Sequence, residues 1–144
     1  MKYLGIDFGI KRVGLAVSDP QGKMAFPLKT IHRSSREKLF EELISIIEKE
    51  RIQAIVLGLP RNPQGEKSLT CRQVLNFRQS LKRRINVPVF TVNEAFTSYE
   101  GQKILESRIK HAGRRDGQLD QVAATLILES FLERKTLADE ADES

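Results

Sequence analysis

Lys2-Tyr3-Leu4-Gly5-Ile6-Asp7-Phe8-Gly9, followed by Ile10-Lys11-Arg12 and then Val13-Gly14-Leu15-Ala16-Val17-Ser18-Asp19, reads as two strands joined by a short link. Residues 2–7 are a largely apolar run that ends on a carboxylate, and Gly9 opens the turn that follows. Residues 13–19 form a second such run, so the spacing predicts a β-hairpin. Pro20-Gln21-Gly22 makes the next turn, and Met24 to Ile31 reads as a third strand interrupted by Pro27. Proline cannot donate to a strand ladder, which places this strand near a sheet edge.

Beyond the three strands the hydrophobic period changes. Leu39, Phe40, Leu43, Ile44, Ile46 and Ile47 recur at helical spacing, which predicts an amphipathic helix over residues 35–50. Ala54 to Leu59 is a short, continuously apolar run, as in a strand buried on both faces. It stops at Gly58-Leu59-Pro60 before a polar loop, Arg61 to Lys67. Cys71, Val74, Leu75, Leu81 and Ile85 mark a helix over about 68–85, and Cys71 is expected in its core face. Pro88 to Glu94 is a further strand ending on a carboxylate. A helix over 96–107, a loop over 107–117 and a last helix over about 118–134 complete the chain. The order βββαβαβαα implies an α/β fold: a mixed sheet, antiparallel at its start and parallel after, with helices on both faces. Residues 1–135 are expected to form one domain, and the acidic stretch 136–144 a disordered tail.

Composition bounds the function classes. The chain has 144 residues, 40% hydrophobic and 30% charged, which fits a single globular domain and excludes a disordered chain. One cysteine forms no internal bridge and suits a reducing compartment, and no apolar run approaches membrane-spanning length. The N-terminus breaks at once to glycine and aspartate, unlike a secretory signal. The expected location is therefore the cytoplasm, with no membrane partner. The 24 basic residues exceed the 19 acidic ones by five. Four of the acids and no base fall in residues 136–144, so 24 bases face 15 acids in residues 1–135, a net +9. A basic body suggests a polyanionic partner, nucleic acid before membrane.

Three acids stand where chemistry is expected. Asp7 ends the first strand and Glu94 ends the last, on the face shared by Phe90 and Val92. Asp120 opens the last helix with Ala123, Ala124 and Ile127 stacked above it, so it lies along an inward, small-residue edge. Each alone has an ordinary explanation as a turn residue or a helix N-terminal acid. In open α/β sheets, however, the functional crevice lies at the carboxyl ends of strands. Three carboxylates gathered there repel one another unless a cation sits between them. Hard cations such as Mg²⁺ or Mn²⁺ suit such oxygen ligands and serve phosphodiester cleavage. Asp7, Glu94 and Asp120 are thus the candidate catalytic and metal-binding residues.

Basic segments supply candidate substrate contacts. Arg108, Lys110, Arg114 and Arg115, with His111, precede Asp120 and suit phosphates beside a metal site. Arg72, Arg78, Lys82, Arg83 and Arg84 form a second group that reads equally well as a solvated helix face. His32 and His111 lack metal-ligand spacing.

The blocks Gly5 to Asp19 (GIDFGIKRVGLAVSD), Gly58 to Gly65 (GLPRNPQG), Asn93 to Ser98 (NEAFTS) and Leu119 to Leu128 (LDQVAATLIL) resemble the YqgF or RuvX family. The resemblance runs in order over residues 2–133. It implies an RNase H-like fold of the RuvC type and a cytoplasmic phosphodiester hydrolase, an endonuclease on structured nucleic acid. Members are named as Holliday-junction resolvases or as pre-16S rRNA nucleases, the latter trimming the 5′ end of the precursor in ribosome biogenesis. The family's acids fall on Asp7, Glu94 and Asp120, and its loop places Arg61 and Asn62 toward nucleic acid. Where the family reads Asp-Glu-Arg, this chain has Asn93, Glu94 and Ala95. Arg12 or Lys11 stands near enough in sequence to Asp7 to replace the missing arginine. Pre-16S rRNA cleavage is the leading expectation. A DNA-junction resolvase and a non-catalytic nucleic-acid-binding module are the alternatives, the latter motivated by Asn93 and Ala95. Asp7-Phe8-Gly9 also resembles the phosphate loop of actin-like ATPases and sugar kinases, whose second domain this length does not accommodate. The expected assembly is a monomer or a weak homodimer.

Overall fold

A computed structural model describes residues 1–60, 71–93 and 118–143 of the chain. Strands β1 (Tyr3–Phe8), β2 (Arg12–Ser18) and β3 (Ala25–His32) form an antiparallel meander. Helix α1 (Arg36–Lys49) leads to β4 (Ala54–Leu59), and α2 (Cys71–Lys82) to β5 (Val89–Asn93). The last helix, α3, spans Gln118–Glu143. The sheet order is β3-β2-β1-β4-β5, with β4 parallel to β1 and β5 parallel to β4. The antiparallel start and parallel continuation expected from the sequence are both present. The stretches read as a polar loop over 61–67 and a helix over 96–107 lie outside the described residues.

Strand alternation divides the core into two layers. Leu4, Ile6, Leu15, Ile55 and Leu57 turn to one face and pack against Leu39, Phe40 and Leu43 of α1 and Val74, Phe77 and Leu81 of α2. Tyr3, Ala16, Ala54, Val56 and Val92 turn to the other and meet Ala124, Ile127, Leu128 and Leu132 of α3. Helix α1 starts at Ser35, whose side chain accepts a hydrogen bond from the Lys38 N–H at 3.2 Å, an N-cap. It ends where Arg51 takes a left-handed φ of 54°.

Pro27 lies in the edge strand β3, opposite Ala16, where the β2–β3 register shifts between Leu15 and Ala16. An edge and an irregular ladder are where a residue without an N–H does least harm. Two other expectations are corrected. Cys71 is exposed, not core: it opens α2, and its Sγ donates to the Pro60 carbonyl at 3.3 Å. The chain beyond Thr136, expected to be disordered, continues as helix to Glu143. Leucine, alanine and glutamate are strong helix formers, and the preceding turn is tied to the sheet by the Lys135 ammonium, which donates to the Tyr3 hydroxyl.

The β2–β3 turn is organised by Asp19. Its carboxylate accepts hydrogen bonds from the backbone N–H groups of Lys23 (2.7 Å), Met24 (2.8 Å) and Gln21 (3.3 Å). These bonds, that from Met24 foremost, hold the Asp19 pKa below its ordinary value. A lowered folded-state pKa means that the turn's stabilisation is present above the unfolded pKa and is lost as pH falls through the folded one. Asp19→Ala should therefore melt below wild type at pH 7, and the gap should close as the pH falls through the lowered folded-state pKa. Thermal melts of both proteins across that range check it; a gap that is constant with pH would assign the stabilisation elsewhere.

Candidate active site

The site is built by two glycines that let α3 come close to the sheet. A Cβ on Gly5 of β1 would lie 2.9 Å from Leu128 Cβ and 3.0 Å from the Ala124 carbonyl oxygen. A Cβ on Gly14 of β2 would lie 2.0 Å from the Asp120 carbonyl oxygen and 2.8 Å from Asp120 Cβ. The first turn of α3 therefore rests directly on Gly14. In the β1–β2 ladder Gly14 is the register partner of Asp7. Residues opposite each other in an antiparallel pair share a face, so Asp7 and Asp120 stand over the same strand pair on the α3 side. The helix is moored further along by the Gln121 side-chain amide, which donates to Thr30 Oγ1 at 3.1 Å.

The electrostatics of the site come from the β1–β2 link. The Gly9 N–H donates to the Arg12 carbonyl at 3.0 Å, and a Cβ on Gly9 would lie 2.5 Å from that same oxygen, so the turn is tight enough to require glycine. Arg33 clamps the link from β3's end: its Nη1 donates to the carbonyls of Gly9 (2.8 Å) and Ile10 (3.1 Å), and its N–H to that of Lys11 (2.9 Å). Arg12 is thereby aimed at α3, and its Nε stands 2.9 Å from Asp120 Oδ2. This contact is an ion pair and not an aligned hydrogen bond. Oδ2 is buried and no hydrogen-bond donor among the described residues reaches it. A buried carboxylate oxygen with a nearby charge but an unmet acceptor is a costly arrangement that a ligand cation would relieve.

Among the sequence candidates, Asp7 and Asp120 are brought together, Arg12 joins them, and Lys11 is exposed at the tip of the link. Glu94, Arg61, Asn62, Arg108, Lys110, Arg114 and Arg115 lie outside the described residues. Asn93 alternates onto the α1–α2 side with Val89, away from Asp7. Within the 72–84 group, Arg78 is tied to the Val89 carbonyl at 3.3 Å and Arg84 lies over the Phe40 ring, so these two are structural; Arg72, Lys82 and Arg83 are exposed. Sequence reasoning missed Arg33 altogether. A single arginine after an edge strand carries no local signal, since its partners lie in a different turn.

A five-stranded mixed sheet of this order, with helices on both faces and acids at the carboxyl end of its first strand, is the RNase H-like architecture of RuvC-type nucleases. The fold is similar to Thermus thermophilus RuvC described in complex with a Holliday junction substrate, with a TM-score of 0.65, 17% identity, and 94% and 97% of the two chains covered. It is also similar to the fowlpox virus Holliday junction resolvase, at a TM-score of 0.54, 15% identity, and coverage of 93% and 99%. The chain belongs to the RuvX family, described as Holliday junction resolvase, whose model matches residues 1–134. Curated relatives named "Putative pre-16S rRNA nuclease" include one from Nitratidesulfovibrio vulgaris, 46% identical over 142 residues, covering 96% of this chain and 100% of its own. Another, from Maridesulfovibrio salexigens, is 47% identical over 138 residues, covering 93% and 99%. The family is one of nucleases, and RuvC-like nucleases as a class depend on divalent metal ions.

Proposed function

We propose that the chain is a metal-dependent endonuclease that trims the 5′ end of pre-16S rRNA in the cytoplasm, with Asp7, Glu94 and Asp120 as its catalytic carboxylates. The observation that carries it is the pairing of Asp7 with a half-buried Asp120 whose Oδ2 has an unmet acceptor, on one face at the carboxyl end of β1. The RNA preference is supported by the names of the relatives at 46% and 47% identity. Carboxylate oxygen donors suit Mg²⁺ or Mn²⁺. When bound there, such an ion supplies an activated water and charge stabilisation for the leaving oxygen. Asp7 and Asp120 would hold it, Arg12 orients Asp120 through their ion pair, and the Arg33-clamped link keeps Arg12 in place. Lys11, Arg61, Asn62, Arg108, Lys110, Arg114 and Arg115 would grip phosphates, which positions the strand without reading its sequence. The chain would act as a monomer or weak homodimer.

The test is cleavage of a 5′-extended 16S rRNA precursor and of a four-way DNA junction, each with Mg²⁺, Mn²⁺ or EDTA. Cutting of the precursor that is abolished by EDTA is expected. Preferential cutting of the junction would favour the resolvase reading, and salt-sensitive binding without cutting in any metal would favour a binding module.

Arg12 supplies a second measurement. Arg12→Ala leaves the Asp120 carboxylate without its cation, so a divalent ion meets less competition. Because an ion that binds the folded state stabilises it by mass action, millimolar Mn²⁺ should raise the melting temperature of the variant more than that of wild type. Equal shifts would show that Arg12 and the ion do not share Asp120.

A further inference from the structure

The opposite side of the sheet carries a second feature at the same strand end. Phe8, the residue after Asp7, alternates to the α1–α2 side and stacks on Phe77 of α2, with centroids 4.0 Å apart and planes 8° apart. Phe77 in turn lies 5.6 Å and 15° from Phe40 of α1. Arginines stand at both ends of this column of rings. The Arg33 guanidinium is 4.6 Å from the Phe8 centroid, and those of Arg84 and Arg36 are 4.2 Å and 5.7 Å from that of Phe40. Between α1 and the end of β1 opens a cleft of about 240 Å³, walled by Phe8, Leu39, Phe40 and Phe77. Its polar lining is Arg33, Arg36, Gln73 and Asn76, with no acid among the described residues. Neither of the lining arginines has an ion-pair partner among the described residues.

Two guanidinium groups with no ion-pair partner among the described residues call for an anion, and the ring edges of the column, whose faces are covered by one another and by Arg33 and Arg84, suit a planar group set edge-to-face against them. The Asn76 carboxamide beside them offers both a donor and an acceptor. A nucleotide unit presents these three chemistries at once: a phosphate, a planar base and a base edge with hydrogen-bonding groups. Unstacked bases of single strands are available for contacts with aromatic and arginine side chains. A base within a duplex is not available to such a cleft.

We propose that the α1–α2 cleft is a subsite for one unpaired nucleotide of the nucleic-acid substrate, its phosphate at Arg33 and Arg36 and its base at the ring edges of Phe8 and Phe40 beside Asn76. This rests on the nuclease reading above. Asp7 and Phe8 are consecutive and face opposite sides, so a strand seated in the cleft crosses the Arg33-clamped link on its way to the carboxylates. The subsite thereby selects substrates with a single-stranded segment next to the cut.

Asn76 is exposed on α2 and can be changed without touching the core. Binding of a labelled single-stranded RNA of about ten nucleotides, and of a blunt duplex of the same sequence, is measured in EDTA by fluorescence anisotropy. Asn76→Glu places an acid in the cleft and should weaken single-strand binding about tenfold, the worth of roughly one nucleotide's contacts, with duplex binding little changed. Asn76→Ala should weaken it less, in the same direction. Gln79→Glu, exposed on the same helix but outside the cleft, makes the same change in net charge and should have little effect. Equal losses for Asn76→Glu and Gln79→Glu, or equal losses on single strand and duplex, would overturn the subsite, since long-range charge would then account for them. Wild-type binding that neither Asn76 variant alters overturns the subsite alone. A wild-type protein that binds neither RNA overturns the nuclease reading together with it.

Discussion

Asp7→Asn is expected to lower metal-dependent cleavage by about 100-fold or more, since even an outer-shell partner of a metal site is worth about 10–100-fold. Asparagine keeps the size and shape of the side chain, so the β1–β2 register and the close seat of α3 on Gly14 should survive. What it removes is one of two negative charges that face each other over the same strand pair. The amide keeps a carbonyl oxygen as an acceptor for the contacts of the side chain, so the melting temperature should stay near the wild-type value. Loss of cutting with retained stability and retained RNA binding is therefore the signature of a metal-holding role. Cleavage within about threefold of wild type would remove Asp7 from the chemistry, because that is far less than one ligand's contribution.

Gly14→Ala should produce the largest structural effect of any single methyl group in the described chain. The added Cβ would lie 2.0 Å from the Asp120 carbonyl oxygen and 2.3 Å from its carbonyl carbon. These are backbone atoms, so no rotamer change relieves the clash and the start of α3 must move. Overpacking of this kind costs about 1–3 kcal/mol, occasionally more. The displacement also carries Asp120 away from Asp7, and a misplacement of about 1 Å in a catalytic group can cost about 100-fold in rate. Gly5→Ala is the comparison: its nearest contact is a side-chain atom, Leu128 Cβ at 2.9 Å, further along the helix. It should destabilise less and leave cleavage closer to wild type. Denaturant unfolding and cleavage rates measured on both variants check the order. If Gly14→Ala is no worse than Gly5→Ala in either quantity, close approach at Gly14 is not what sets the site.

The legibility of this chain divides along a physical line. The strands and helices are readable because apolar runs bounded by turn residues and a 3.6-residue period are local properties of the chain, and Pro27 declares an edge through its missing donor. The three acids stood out because charged groups at the ends of apolar elements are rare without a partner. Cys71 was misplaced because helical periodicity does not show where a helix begins, and the first residue of α2 lies beyond the packed layer. The helix past Thr136 was missed because acidic composition outweighed the propensity of its leucine and alanines, and the mooring of Lys135 on Tyr3 joins opposite ends of the chain.

The sequence by itself determined the order of the described elements, which side of each strand faces which layer, and that Asp7 stands at the carboxyl end of β1. Tertiary structure alone decided that Asp120 rests on Gly14 opposite Asp7 and that Arg12 spends its charge on Asp120. It alone also decided that Arg33 ties the β1–β2 link while capping a column of rings. These are contacts between residues distant in sequence. Alternation and helical period specify direction relative to the local chain axis, whereas a contact depends on where two axes cross, and that is set by the packing of the whole core.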